Sequence, residues 1–95
     1  MVTWIKGDYF VVPDKIFGHP IGKEAKLIFF YLCCCAEMNG SSVQAYSKIM
    51  EACGIGNRNT VTKALKELVE TGLIKKESRK WENGGRASNM YWICE

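Results

Sequence analysis

The run Cys53-Gly54-Ile55-Gly56-Asn57-Arg58-Asn59-Thr60-Val61-Thr62-Lys63-Ala64-Leu65-Lys66-Glu67-Leu68-Val69-Glu70-Thr71-Gly72-Leu73-Ile74 holds the end of one helix, a short turn and the whole of the next helix. Gly54 has no Cβ and tolerates the left-handed backbone that closes a helix, and Ile55 behind it can fold back as an apolar anchor. Asn57 stands where a side-chain oxygen can take a free amide of the following first turn. Val61, Ala64, Leu65, Leu68 and Val69 recur at the helical period and give the second helix one apolar face. That helix runs to about Thr71 and stops at Gly72.

Upstream, Ala45 to Cys53 predicts the partner helix, with Tyr46, Ile49, Met50 and Cys53 at helical spacing, and Ser41-Ser42-Val43 supplies a minor strand before it. A longer helix is expected from about Lys23 to Met38, set off by Gly18-His19-Pro20 and Gly22 and ended by Asn39-Gly40. Ala25, Ile28, Phe29, Leu32 and Ala36 form its apolar stripe, and Leu27, Phe30, Tyr31, Cys34 and Met38 form a second stripe on the other side. A helix apolar on two sides is normally buried on two sides. The second stripe is therefore covered either by the N-terminal arm, residues 1–21, or by another subunit in a homodimer. Within the arm, Tyr9-Phe10-Val11-Val12-Pro13 reads as an edge strand or extended segment, and Asp14 to Phe17 as one helical turn.

Downstream the period changes. Leu73 to Trp81 and Asn89 to Cys94 read as two strands of a hairpin, joined across Asn83-Gly84-Gly85, residues that accept positive φ at hairpin turns. The expected class is α+β: a winged helix-turn-helix of three main helices with a C-terminal β-hairpin wing, the helix-turn-helix over residues 45–71 and the wing over 73–94. A chain of 95 residues makes a single domain, 1–95.

The distribution of charge says more than its total. Residues 1–56 hold five basic and five acidic groups, whereas residues 57–94 hold eight basic groups against four acidic ones, and Glu95 brings the net charge to +3. The positive excess lies on the helix-turn-helix and wing, as binding to a polyanion requires. If the apolar face of the second helix meets the core, Arg58, Asn59, Thr62, Lys63 and Lys66 face outward, with Asn57 and Thr60 at the start of the same helix. Arginine and lysine reach guanine edges or phosphates, asparagine pairs with adenine, and threonine meets a thymine methyl or a phosphate. The acids of this helix, Glu67 and Glu70, lie toward its C-terminal end, leaving a basic N-terminal half where base-reading residues sit in such proteins. The wing adds Lys75, Lys76, Arg79, Lys80 and Arg86, suited to phosphates. On these positions the second helix reads bases, Arg58 among the readers, and the wing supplies mostly non-specific affinity. The partner expected is double-stranded DNA.

The stretch from Cys53 to Ile74 resembles the bacterial and phage winged-helix signature of a Gly-Ile turn, an Asn/Ser-Arg-x-Thr-Val start, a Leu-x-x-Leu core and a closing Gly-Leu-Ile. Tyr9 to Pro13, Glu24 to Ile28 and the Asn89-x-Tyr91-x-Ile93 ending are similar to replication initiator A and DnaD-like replication proteins. Ala45 departs from the pattern, since many relatives carry a serine N-cap there. The resemblance implies sequence-specific binding of double-stranded DNA in replication initiation or transcriptional regulation of a bacterium, phage or plasmid. It also implies that this chain is an excised N-terminal domain of a longer protein. A winged helix used for protein–protein assembly is the rival reading.

An enzyme is not expected. The single histidine, His19, precedes Pro20 in a turn with no nucleophile signature beside it, and Gly54-Ile55-Gly56 lacks the phosphate-loop pattern. No metal or other cofactor is expected. Cys33, Cys34 and Cys35 are adjacent, and neighbours on a helix point about 100° apart, so they do not converge on one ion. With Cys53 and Cys94 they make an odd number, read as reduced thiols in a cytoplasm. No apolar run reaches the roughly 18–20 residues that cross a bilayer, so no membrane partner is expected.

Overall fold

A computed structural model of the chain describes residues 10–78 and 88–94. A 3-10 turn at Asp14–Gly18 leads into α1 (Lys23–Cys35), β1 (Ser41–Gln44), α2 (Tyr46–Cys53), α3 (Arg58–Glu70), β2 (Ile74–Glu77) and β3 (Asn89–Ile93). The expected hairpin tip, with Arg79, Lys80, Trp81 and Arg86, lies outside the described residues.

Both helix ends of the quoted stretch close in the same way. At α2, Gly54 takes φ +67°, its N–H donates to the Glu51 carbonyl, and the Ile55 N–H reaches back to the Met50 carbonyl. At α3, Gly72 takes φ +80°, its N–H donates to the Val69 carbonyl, and the Leu73 N–H reaches the Leu68 carbonyl. This pair of bonds needs one residue in the left-handed region, which a side chain would strain, so glycine marks both ends. The second closure delivers Leu73 and Ile74 straight into the core and starts β2 without a linker.

The strands form one antiparallel sheet in the order β1-β3-β2, with Tyr91 of β3 facing Ser42 on one side and Lys76 on the other. The architecture is α+β, three helices with a three-stranded sheet, in the winged-helix arrangement. Ile28, Phe29 and Leu32 of α1, Ile49 of α2, Val61, Leu65 and Leu68 of α3, and Tyr91 of β3 make a continuous core, joined by Ile16 of the 3-10 turn.

Three expectations are corrected. The long helix stops at Cys35 rather than Met38, because Ala36 is extended and the Glu37 N–H turns away to the Ser41 carbonyl, 2.8 Å distant, to start β1. Val69 is 40% exposed, at the border of the apolar face of α3 rather than within it. Of the arm, Phe10 to Pro13 join no strand of the sheet, so the edge-strand alternative falls, while Asp14–Gly18 makes the expected helical turn as a 3-10 helix. The second stripe of α1 is divided in consequence. Tyr31 docks β1, donating its hydroxyl to Gln44 Oε1 at 3.0 Å, and Phe30 meets the ring of Phe17 at 6.2 Å, while Leu27, Cys34 and Met38 are exposed.

One acid of α3 has a structural task. Glu67 Oε1 accepts the Gly22 N–H at 2.7 Å and so caps the start of α1, which has no capping side chain of its own. Glu67→Ala is expected to lower folding stability by about 1 kcal/mol, read as a lower urea midpoint. An unchanged midpoint would mean that water serves the Gly22 amide equally well.

Burial pushes the Tyr91 hydroxyl up from the ordinary 10.0 to about 12, against a smaller downward pull from the Asn89 amide that donates to it. Burial likewise raises the Cys33 thiol from 9.0 to about 11. The folded chain holds both protons to higher pH than the unfolded chain does. Their contribution to stability is therefore complete below about pH 9 and is lost as pH rises through 11 to 12. The urea midpoint is expected to be lower at about pH 11 than at about pH 8. Equal midpoints would overturn this.

Candidate nucleic-acid interface

Asn57 caps α3 as its position predicts: its Oδ1 accepts the Asn59 N–H at 2.8 Å. That oxygen is thereby committed to the helix. Arg58, Asn59, Thr62, Lys63 and Lys66 are all exposed, and Thr60 is half-buried. The Thr62 hydroxyl donates back to the Arg58 carbonyl at 3.2 Å, so what remains for a partner is chiefly its methyl group. The outward face of α3 is polar and basic through its first half, and Val61, Ala64, Leu65 and Leu68 hold it rigidly against the core.

On the wing, Lys75 and Lys76 are exposed but do not share a face, since neighbours on a strand point to opposite sides of a sheet. Lys75 pairs across the sheet with Trp92, on the side away from the helices. Lys76 pairs with the buried Tyr91, on the side that packs against them.

The structure brings Arg58 and Lys76 together through Tyr46, a residue that the sequence places only at the helical spacing of α2. Tyr46, the first residue of α2, is half-buried. The Arg58 guanidinium lies over its ring, 4.5 Å from the centroid, and Lys76 Nζ donates to its hydroxyl oxygen at 3.5 Å, the long limit of a hydrogen bond. Lys76 Nζ is 5.8 Å from the ring centre, so it stands off the oxygen end of the ring and not over its face. The available signal was an aromatic residue opening one helix of the pair and an arginine opening the other.

Among the described residues no helix is long and apolar enough to cross a membrane. A search of the curated proteins finds no match to the chain, and a search of the solved structures finds none. Residues 19–74 match a family model described as a helix-turn-helix domain. The match runs from the turn before α1 to the first residue of β2, more than half of the sequence, and the chain belongs to the helix-turn-helix domain family.

Proposed function

We propose that this chain binds double-stranded DNA with sequence preference and without catalytic activity of its own, α3 lying in the major groove and the wing along the backbone. The observation that carries the reading is the exposed, basic first half of α3 on a rigid apolar back, in a chain of the helix-turn-helix family. Asn59, Thr62, Lys63 and Lys66 face the bases and their flanking phosphates, and Asn57 and Thr60 order the helix start. Lys75, Lys76, Arg79, Lys80 and Arg86 supply wing contacts to phosphate. The resemblance of the arm and of the last strand to replication initiator A and DnaD-like proteins favours replication initiation, with transcriptional regulation as the alternative, in a bacterium, phage or plasmid. Selection of bound sites from random duplexes tests the reading. Enrichment of one sequence is expected, and no enrichment above the starting pool would defeat sequence preference.

A second reading has its own observation. Phe10 is 47% exposed, Val11 61%, Phe17 69% and Leu27 44%, which puts apolar surface of the arm and of α1 in solvent. Exposed apolar surface of this kind suits self-association through α1 and the arm, as a homodimer or within a larger assembly. Sedimentation at high concentration decides it: a strictly monomeric chain removes the dimer.

A further inference from the structure

The geometry points to Tyr46, Arg58 and Lys76 as a station for one phosphate of the duplex backbone, with Arg58 holding that phosphate instead of reading a base. The inference rests on the DNA-binding reading above.

The station is assembled by the tertiary fold from the start of α2, the start of α3 and the middle of β2. The Arg58 guanidinium carbon lies over the Tyr46 ring, 4.5 Å from its centroid, and Lys76 is held at the hydroxyl oxygen at 3.5 Å. The fold thus brings two cations to a single side chain. A cation–π contact offers the guanidinium no hydrogen-bond acceptor atom, so the ring sets its position and leaves N–H donors to grip a phosphate. The Tyr46 oxygen accepts from Lys76 and keeps its own proton to donate. Both cations and the Tyr46 hydroxyl thus meet on one side chain, where an anion would replace the mutual repulsion of two like charges with attraction to both.

Position separates this role from base reading. Arg58 and Lys63 lie about 140° apart around the helix, so a guanidinium drawn toward α2 and β2 is turned away from the face that carries Lys63. The meeting point of two helix starts and the wing strand is the rim of the reading surface. Phosphates line the rim of a groove, and base edges lie on its floor.

The test uses the whole chain, a selected duplex and a scrambled one, over a salt series. The slope of log affinity against log salt changes by roughly 0.9 for each phosphate no longer neutralised. The double variant Arg58→Ala with Lys76→Ala is expected to flatten the slope by about 0.9, and each single variant by less, since the remaining cation still serves the shared phosphate. Tyr46→Leu is expected to weaken both duplexes alike, by a factor close to that of Arg58→Ala. The ratio of selected to scrambled affinity stays unchanged in all four. A loss of stability alone would not flatten the salt slope. Slopes that fall by about 0.9 in each single variant and about 1.8 in the double would assign two separate phosphates and overturn the station. A lower ratio in Arg58→Ala would return Arg58 to base reading and overturn it as well. Both of those outcomes leave DNA binding intact. An unaltered chain that binds neither duplex at any salt concentration would remove the DNA reading and the station with it.

Discussion

Phe29→Ala is expected to cost about 3–5 kcal/mol of folding stability. Phe29 is completely buried in the middle of α1, the helix that packs against α2, α3 and β3. Its removal takes away the transfer free energy of a benzyl group and leaves a cavity. Ile28, Leu32, Leu65 and Tyr91 of the same core are already buried, so collapse into the space is limited. A domain of this size has a total stability of about 5–15 kcal/mol, so the loss is about a fifth of it or more. Urea unfolding with an unchanged m-value and a much lower midpoint is the expected record. A loss below about 1 kcal/mol would show that α1 does not organise the core.

Lys63→Ala is expected to cost about 1–3 kcal/mol on the selected duplex, about 5- to 150-fold in affinity, and less on a scrambled one. Lys63 is exposed in the first half of α3, and its anchor is rigid, because Val61, Ala64 and Leu65 on either side of it are buried. A rigid anchor can hold an ammonium within hydrogen-bonding reach of a guanine edge, which a mobile one cannot. Folding stability should change by less than about 0.5 kcal/mol, since the side chain is on the surface. Competition binding with duplexes changed one base pair at a time reads the outcome. Discrimination should relax at one position. Equal loss on selected and scrambled duplexes would make Lys63 a phosphate contact and pass base reading to Asn59, Thr62 or Lys66.

Much of this architecture was written in local chemistry. Gly54 and Gly72 close their helices and Asn57 caps the next one, because each depends on the conformational freedom or the side-chain oxygen of a single residue. The buried faces of α1 and α3 followed from the helical period, and the antiparallel pairing of β2 with β3 followed from two strand-forming runs. The outward residues of α3 were legible for the same reason: once Val61, Leu65 and Leu68 are committed inward, the period leaves Lys63 and Lys66 no other side.

What local chemistry left open was settled by contacts made in the folded chain, most of them between residues far apart in sequence. The sequence Cys35-Ala36-Glu37-Met38 carries no helix breaker, yet α1 ends at Cys35 because the Glu37 amide finds the Ser41 carbonyl and Gly40 extends the sheet through a bond from the Ile93 amide. Glu67 reads as one more acid on a solvated helix until α1 is packed beside it, when it becomes the acceptor for Gly22, 45 positions away. Tyr46 has helical spacing with Ile49 and Cys53 and packs beside the core, but that spacing does not show its ring under the Arg58 guanidinium or its hydroxyl at Lys76. Periodicity reports only which way a side chain leaves its own helix or strand. The identity of the group it meets depends on how those elements pack, and that is decided by the summed burial of the core and by hydrogen bonds that close loops of many residues.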